Sequence, residues 1–217
     1  MAIILIKESE EEKMFYELSN NDDLLDELPG SDKRPIYAAE SNLDDIEYKD
    51  VKKGYFDYLI KEGKQLVNLP EIKFYYSSKV STLKSEYLIN YNIDWPIIHQ
   101  TVKDEFEKQG IQSLIQYIPI TLADIDTDEE IHEYYAMNIL THIEAIDLEK
   151  SEYDYDEEFN HYWFKPRSIY LDESACEGYD IFRLSKNTSH IYVSQKIKDI
   201  IEANNWVGFN FRKEKLS

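Results

Sequence analysis

The chain has 217 residues but only one cysteine, Cys176, and six glycines. One cysteine cannot form an intrachain disulfide and makes a structural zinc site improbable, which favours a reducing compartment such as the cytoplasm. The glycines are widely scattered, so the sequence has neither a glycine-rich phosphate loop nor a dinucleotide-binding fingerprint. These absences argue against disulfide-rich secreted proteins and against the common nucleotide-dependent enzymes.

Positive charge is also scarce. The chain has 24 Lys and Arg against 44 Asp and Glu, a formal net charge of −20, and it contains no basic run. A nucleic acid or an anionic membrane requires a concentrated basic surface, so the charge balance disfavours both as partners. It favours a basic protein partner, although an ordinary solvated acidic surface is an equally good explanation.

Long apolar runs are missing as well. No stretch approaches the ~18 residues that would indicate a membrane-spanning helix. The apolar residues 2–6 have no basic residue before them and no small-residue cleavage site after them, so we expect no signal peptide. Together with the single cysteine, this predicts a cytoplasmic protein.

One segment begins like a calcium-binding loop. Asp124, Asp126 and Asp128 have the spacing of the first three ligands, but the sixth position, which should be glycine, is Glu129. The twelfth position, which should be a bidentate glutamate, is Tyr135. No histidine pair has metalloprotease spacing either. We therefore expect no metal and no organic cofactor.

A few reactive or buried side chains have structural explanations. Cys176 has acidic neighbours within three residues, which would raise its pKa and disfavour a nucleophile. Arg183 lies in an apolar stretch, where an ion pair with a nearby acid is a better prediction than ligand binding. His99 and His190 lie close to the starts of two predicted helices and are expected to pack or cap. Carboxylate pairs are too numerous to identify a catalytic pair.

The apolar periodicity predicts an α+β fold with short, mainly antiparallel strands and a few amphipathic helices. The predicted strands are residues 2–6, 14–18, 72–76, 111–120, 134–140, 169–171, 180–184, 190–193 and 206–211. The predicted helices are residues 22–28, 50–61, 101–109 and 195–204. The segments 124–133 and 151–158 read as acidic loops.

One internal similarity suggests a repeat. Residues 98–107 align with residues 193–202, with matching Gln, Lys, Asp and Glu and with matching apolar positions. A β-prone segment follows each of them. An internal strand–helix–strand duplication predicts one backbone conformation for 98–117 and 193–211, whereas chance similarity between two amphipathic helices predicts it for the helices alone.

A Tyr-rich acidic stretch is the best candidate for a binding surface. Tyrosine and tryptophan provide large contact areas at low entropic cost, and charges steer association, so the combination suits a basic protein partner. The alternative is that the rings face the core and the acids face water. The candidate contact residues are Tyr153, Asp154, Tyr155, Asp156, Glu157, Glu158 and Trp163.

Several short motifs, in order and spacing, resemble the immunity protein eleven family of bacterial polymorphic toxin systems. The similarity covers about residues 95–211, and its pieces are Tyr117-Ile118-Pro119-Ile120, the paired aromatics and Asn of 134–140, the acidic 146–151, Asp180-Ile181-Phe182-Arg183-Leu184, 193–198 and 208–211. The resemblance implies a stoichiometric inhibitor that protects its producer from a cognate toxin. It carries no catalytic motif and no contact residue across to this chain.

The leading interpretation is therefore a non-enzymatic, cytoplasmic antitoxin that binds a cognate, basic toxin domain. Two alternatives stay open: a small enzyme that uses acids, histidine and Arg183 in an unrecognised site, and a non-catalytic scaffold. We divide the chain into residues 1–94, an N-terminal region of no assigned family, and residues 95–217, the immunity-like region. We expect the two to pack as one compact unit.

Overall fold

The computed structural model describes residues 13–21, 23–26, 35–38, 40–49, 51–52, 54–80, 83–90, 95–111 and 114–217. The strand predicted at 2–6 and part of the helix predicted at 22–28 lie outside these residues.

The described residues form many short strands and a few short helices. The strands are β1 Phe15–Asn20, β2 Glu40–Ser41, β3 Lys73–Tyr76, β4 Ile97–His99, β5 Ile115–Asp124, β6 Glu130–Ile139, β7 His142–Ile143, β8 Tyr153–Asp156, β9 His161–Phe164, β10 Tyr170–Leu171, β11 Ile181–Leu184, β12 Asn187–Ser194, β13 Phe209–Lys213 and β14 Lys215–Leu216. The α-helices are α1 Asp23–Asp26, α2 Gln100–Lys108, α3 Glu173–Cys176 and α4 Gln195–Ala203, and two 3₁₀ helices span Leu43–Asp45 and Phe56–Lys61.

Most of these strands belong to two five-stranded sheets. Sheet 1 has the order β2-β3-β5-β6-β4, and sheet 2 has the order β13-β1-β12-β11-β7. The α+β class is confirmed. Both sheets are mixed, because β3 runs parallel to β5 and β7 runs parallel to β11. The pairs β8–β9, antiparallel, and β10–β14, parallel, form two smaller sheets.

The two long helices match their predictions closely. In α2, Val102 and Phe106 are one turn apart and buried, and Ile197 and Ile201 have the same arrangement in α4. This spacing turns one stripe of each helix toward the core. The imidazole of His99 accepts a hydrogen bond from the Thr101 N–H, at 3.3 Å, which confirms the expected capping role of His99.

Both helices end in the same way. A residue with left-handed φ follows each of them, Gly110 at 77° and Asn205 at 53°. The next N–H, that of Ile111 or Trp206, donates to the carbonyl five residues earlier, at 2.9 and 3.3 Å. This is the Schellman geometry that stops a helix and satisfies its last carbonyls.

Each helix also places a lysine over two aromatic rings. The Lys103 Nζ lies 5.6 and 5.4 Å from ring centroids on β5 and β6. The Lys198 Nζ lies 5.5 and 5.8 Å from ring centroids on β1 and β13. Such cation–π contacts hold the helix surface against its sheet. The rings are those of Tyr117, Tyr135, Tyr16 and Phe211.

The strands around the two helices have the same arrangement. Helix α2 joins β4 to β5, and β6 lies between them, antiparallel to both. Helix α4 joins β12 to β13, and β1 lies between them, antiparallel to both. The central strand follows β5 directly in the chain in sheet 1 but comes from the other end of the chain in sheet 2. Strand β1 thus completes a sheet whose other strands lie between residues 142 and 213.

One hydrophobic cluster joins the two sheets. It contains the buried residues of α2 and α4 together with residues from strands of both sheets. The junction is tight at Gly208, whose φ is 101° and whose hypothetical Cβ would lie 2.2 Å from the Tyr87 carbonyl oxygen. The rings of Tyr87 and Phe209 lie 4.9 Å apart beside it.

Two local predictions are wrong. Residues 50–61 contain the 3₁₀ helix Phe56–Lys61 instead of an amphipathic α-helix, because the space between the turns at Gly54 and Gly63 is too short for a stable α-helix. The acidic loop predicted at 124–133 is a tight hairpin turn, and β6 already begins at Glu130.

Candidate functional site

The Tyr-rich acidic stretch forms a two-stranded hairpin, residues 153–164, which we call the aromatic hairpin. It was expected as a loop at 151–158, but β8 and β9 pair over four residues. Tyrosine alternates with aspartate along residues 153–156, which is the period of a strand, although the acidic composition predicts a loop. Along one face the rings stack in a ladder, with centroid distances of 4.7–5.9 Å between neighbours. The ladder consists of Tyr153, Tyr155, Tyr162 and Phe164.

The hairpin turn is built by polar side chains. The Asp156 carboxylate accepts hydrogen bonds from the N–H groups of Glu158, at 3.0 Å, and Phe159, at 3.2 Å. Asn160 adopts a left-handed φ of 49°, which Asn tolerates better than most residues. Asp156 is therefore a turn-forming residue as well as a candidate contact.

The hairpin exposes three large rings. Phe159 is 73% exposed, Trp163 61% and Tyr155 45%. Asp154 forms an ion pair with Lys165. The structure brings together all seven predicted contact residues, and it adds Phe159, which sequence reasoning missed because Phe159 lies one residue beyond the acidic run.

A groove of about 670 Å³ separates β9 from residues 185–190, which form the β11–β12 turn and the start of β12. Its walls carry His161 and Trp163 on the hairpin side and Lys186 on the sheet side. Lys186 forms an ion pair with Glu144 at the edge of the groove. The aromatic hairpin therefore stands beside a concave surface of sheet 2.

A charged cluster lies next to this groove and shares His190 with its lining. The cluster consists of Glu17, His190, Arg212 and Glu214. The Nδ1 of His190 lies 3.2 Å from Glu17, and Arg212 pairs with Glu17 and with Glu214, the latter at 3.1 Å. His190 was expected to pack or cap, and that expectation is wrong. Sequence reasoning could not assemble the cluster, because β1 and β13 lie almost 200 residues apart.

The two carboxylates of the cluster have opposite pKa shifts. Burial would raise the pKa of Glu17, but hydrogen bonds and charge from His190, and then from Arg212, hold it below its usual range. Burial dominates at Glu214 and raises its pKa despite Arg212. The cluster therefore favours ionised Glu17 and penalises ionised Glu214.

Sheet 1 has no such cluster on its equivalent face. In sheet 2, Glu17 lies between Tyr192 and Arg212, whereas in sheet 1 the equivalent Ala136 lies between two isoleucines of β4 and β5. Residues 42–72, which we call the covering segment, contribute buried side chains to the core on this face. The positions that are charged in sheet 2 are buried and apolar in sheet 1, namely Trp95, Ile118, Ile120 and Ala136.

The aspartates of the calcium-like segment have structural roles. Asp124 is buried, which alone would raise its pKa, yet hydrogen bonds from Ser78, Thr127 and Asp126 lower it. Asp126 forms an ion pair with Lys79 at 2.6 Å. Within the described part of the chain, no three His, Cys, Asp or Glu residues are grouped so that they could hold a metal ion.

Two further predictions concern buried side chains. Burial, helped by the nearby Asp172 and Glu173, raises the pKa of Cys176 to about 12, which makes the thiolate scarce at neutral pH. Arg183 is buried and donates a hydrogen bond to the Thr188 carbonyl at 2.7 Å. Neither side chain is arranged as a nucleophile or an exposed ligand.

A family model described as Immunity protein family (Imm11) matches residues 14–215. The chain belongs to this family. The match begins at β1 and includes β2 and β3, which lie in the region that the resemblance over 95–211 left without a family. No curated protein matches the chain.

Membership in the Imm11 family agrees with the resemblance found in the sequence. It assigns no residue a role, so the aromatic hairpin and the charged cluster are candidates on their geometry alone. In the part of the chain that the structure describes, no helix is both long and apolar enough to cross a membrane.

Proposed function

We propose that this Imm11 protein neutralises one cognate toxin of a polymorphic toxin system by binding it 1:1 in the cytoplasm, without catalysis. The aromatic hairpin provides the main contact. The proposal rests on family membership together with one observation: three large rings, Tyr155, Phe159 and Trp163, are exposed on a hairpin that has no other strand beside it in the described structure.

Exposed aromatic rings of this kind suit an interface. A fully buried aromatic side chain removes 150–250 Å² from water, and tryptophan and tyrosine are enriched among the residues that dominate binding energy. The ring ladder, which includes Tyr155 and lies on the face opposite Trp163, stiffens the hairpin, so little ordering entropy is lost on binding. The hairpin is therefore a preformed contact surface.

Charge explains how the partners would meet. The net charge of −20 attracts a basic partner, and toxins that attack nucleic acid need basic surfaces to hold phosphates. Glu157 and Glu158 lie exposed at the tip of the hairpin, where their charges act first on an approaching toxin. Association should therefore be fast at low salt and slower at high salt.

Protection in cells tests the proposal. The toxin encoded beside this protein is expressed with the wild type, with Phe159→Ser/Trp163→Ser, and with Tyr55→Ser/Tyr58→Ser as the matched control. The control removes two half-exposed rings from the covering segment. We expect the wild type and the control to protect and the hairpin variant to fail. A wild type that neither binds nor protects contradicts the function, and a protective hairpin variant contradicts the assigned surface.

The competing enzyme interpretation has a specific place in the structure. The charged cluster holds a histidine whose Nδ1 faces a carboxylate, with Arg212 beside it, whereas the enzyme alternative from the sequence names Arg183. Titration of toxin activity separates the two interpretations. An inhibitor abolishes activity at one equivalent, whereas an enzyme inactivates the toxin at far lower ratios.

The internal repeat extends further than the sequence similarity suggested. We propose that the two sheets, with their helices, are duplicated halves folded into one compact unit. The same order of strands around α2 and α4, the same helix ends and the same lysine–aromatic contacts support it. The central strand of the second half, β1, would then have moved to the start of the chain.

A further inference from the structure

The charged cluster buries its carboxylates and exposes its arginine and its histidine. The side chains of Glu17 and Glu214 are 13% and 6% exposed, whereas those of His190 and Arg212 are 44% and 43% exposed. A partner approaching this face therefore meets the guanidinium and the imidazole first. The buried carboxylates hold these two groups in fixed positions.

Both exposed side chains keep a polar atom for a ligand. Arg212 uses its Nε toward Glu214 and its Nη2 toward Glu17. Among the described residues, its Nη1 bonds to nothing. The Nε2 of His190 likewise has no bond within the described structure, since the ring contacts Glu17 through Nδ1. The Arg212 Nη1 and the His190 Nε2 are thus available at the surface.

These groups line a pocket of about 350 Å³ under the loop that follows β9. Phe164, at the end of β9, and Pro166 of the loop form an apolar wall, and the loop adds Arg167 as a second guanidinium. Arg167 is exposed, adopts a left-handed φ of 58°, and its side chain pairs with no described residue. Non-glycine residues seldom adopt this conformation, so the loop holds Arg167 in place at some cost.

The pocket reverses the charge balance of the chain. Its lining contains Lys165, Arg167, Arg212 and His190 against Glu17 and Glu214, although acids outnumber Lys and Arg by 44 to 24 overall. The same face of sheet 1 is apolar and covered. The fold itself therefore does not require charges at these positions, which points to a ligand.

We propose that this pocket receives the carboxylate of one Asp or Glu side chain of the toxin. Arg167 and the Nη1 of Arg212 bind its two oxygens, since a planar guanidinium matches a carboxylate. Phe164 and Pro166 contact the methylene groups of that side chain. The inference rests on the proposed function and adds a second, oppositely charged contact beside the aromatic hairpin.

Arg167→Gln tests the pocket, with Lys64→Gln as the matched control. Lys64 is 75% exposed and lies in the covering segment, so both variants remove one positive charge. Either change makes the chain more acidic and would, through long-range charge alone, leave association with a basic toxin unchanged or slightly faster. We expect Arg167→Gln to dissociate about tenfold faster, and Lys64→Gln to dissociate at the wild-type rate.

Arg167→Lys separates geometry from charge. It keeps the positive charge but loses the fork, so we expect only partial recovery. Replacing toxin Asp and Glu residues one at a time should reveal one whose effect disappears in the Arg167→Gln background. Tight wild-type binding with unchanged dissociation of Arg167→Gln, or with no coupled toxin carboxylate, overturns this inference alone. A wild type that does not bind its toxin overturns the proposed function as well.

Discussion

The covering segment and the aromatic hairpin each begin near a backbone hydrogen bond to a later strand. At the start of the covering segment, the N–H of Asn42 donates to the Lys73 carbonyl on β3, at 3.0 Å. Just before the hairpin, the N–H of Asp147 donates to the Tyr170 carbonyl on β10, at 2.9 Å. From these points the first segment folds down over its sheet, and the second extends as a separate two-stranded hairpin.

The two segments use their aromatic residues differently. Phe56 and Tyr48 of the covering segment are buried against sheet 1 and touch each other edge to face, with centroids 5.5 Å apart. Phe159 and Trp163 of the hairpin are mostly exposed. Exposing large rings forgoes roughly 1.5–3 kcal/mol each of burial free energy. The difference teaches that the first segment serves the fold, whereas the second is available for a partner.

The sheet faces beneath the two segments follow the same division. Sheet 1 presents Ala136 and isoleucines to its cover, whereas sheet 2 presents Glu17 and Arg212 to solvent-accessible pockets. A covered face gains stability from apolar residues, and an open face can carry charges because water solvates them.

The largest expected effect is on stability in the covering segment. Phe56 is buried between Tyr48 and Trp95, whose indole N–H donates to the Asp57 carbonyl at 3.0 Å. Phe56→Ala should lower the free energy of unfolding by about 3–5 kcal/mol through lost burial and a cavity. Urea denaturation measures the loss. A loss below about 1 kcal/mol would show that the covering segment is not part of the core.

The converse effect is expected in the hairpin. Trp163→Ala should weaken toxin binding by about 2 kcal/mol, roughly thirtyfold, because an exposed indole contributes once a partner buries it. The free energy of unfolding of the Trp163→Ala variant should differ from that of the wild type by less than about 0.5 kcal/mol. Titration calorimetry and denaturation measure the two. Tyr58→Ala, the matched exposed ring of the covering segment, should leave binding unchanged; equal losses in both variants would refute the division.

How far the sequence alone predicts this fold depends on the range of the interactions. Helices α2 and α4 are local: the apolar spacing of Val102 and Phe106, with Gly110 as the stop, defines α2. Strand β8 was missed because its acids suggested a loop, although Tyr153 and Tyr155 alternate as in a strand. The 3₁₀ helix at Phe56 was called an α-helix, since the apolar period does not distinguish the two in a short segment.

The candidate site divides in the same way. The aromatic hairpin is contiguous in sequence, so composition alone identified its seven residues. The charged cluster joins β1, β12 and β13, and no local pattern relates Glu17 to Arg212. The similarity of 98–107 to 193–202 comes closest to predicting it, because a duplication would require a strand between the two strands that α4 joins.

A moderate effect distinguishes the two buried carboxylates of the open face. The pKa of Glu17 is lowered, so its ionisation stabilises the fold above the ordinary glutamate range and is lost as the pH falls through the lowered value. The pKa of Glu214 is raised, so stability falls as the pH rises from the ordinary value through the raised one. At pH 7, Glu17→Gln should cost about 1–2 kcal/mol, and Glu214→Gln should cost nothing or stabilise slightly.

Urea denaturation at pH 7 and at pH 4 measures both effects. The penalty of Glu17→Gln should shrink at the lower pH, because the unfolded wild-type chain then begins to bind a proton at this carboxylate while the folded state resists it. Any benefit of Glu214→Gln should shrink too, since the wild-type group is then neutral. Equal losses of stability for the two variants at pH 7 would contradict the opposite pKa shifts of Glu17 and Glu214. They would also contradict the view that ionised Glu17 stabilises the fold and ionised Glu214 destabilises it.

The smallest effect concerns the rate of association. Asp154 and Asp156 hold the hairpin together, so the charges to remove are Glu157 and Glu158, which make no side-chain contact in the described structure. Glu157→Gln/Glu158→Gln should slow association with a basic toxin several-fold and flatten its salt dependence, with little change in dissociation. The control Asp44→Asn/Glu47→Gln removes the same net charge from exposed positions of the covering segment. At physiological salt a charge acts over about 8 Å, so charges far from the interface are screened. Stopped-flow measurements at two salt concentrations give the association rates. Association of the hairpin variant should be slowed more than that of the control. Equal slowing would mean that only net charge matters and that the hairpin tip does not face the toxin.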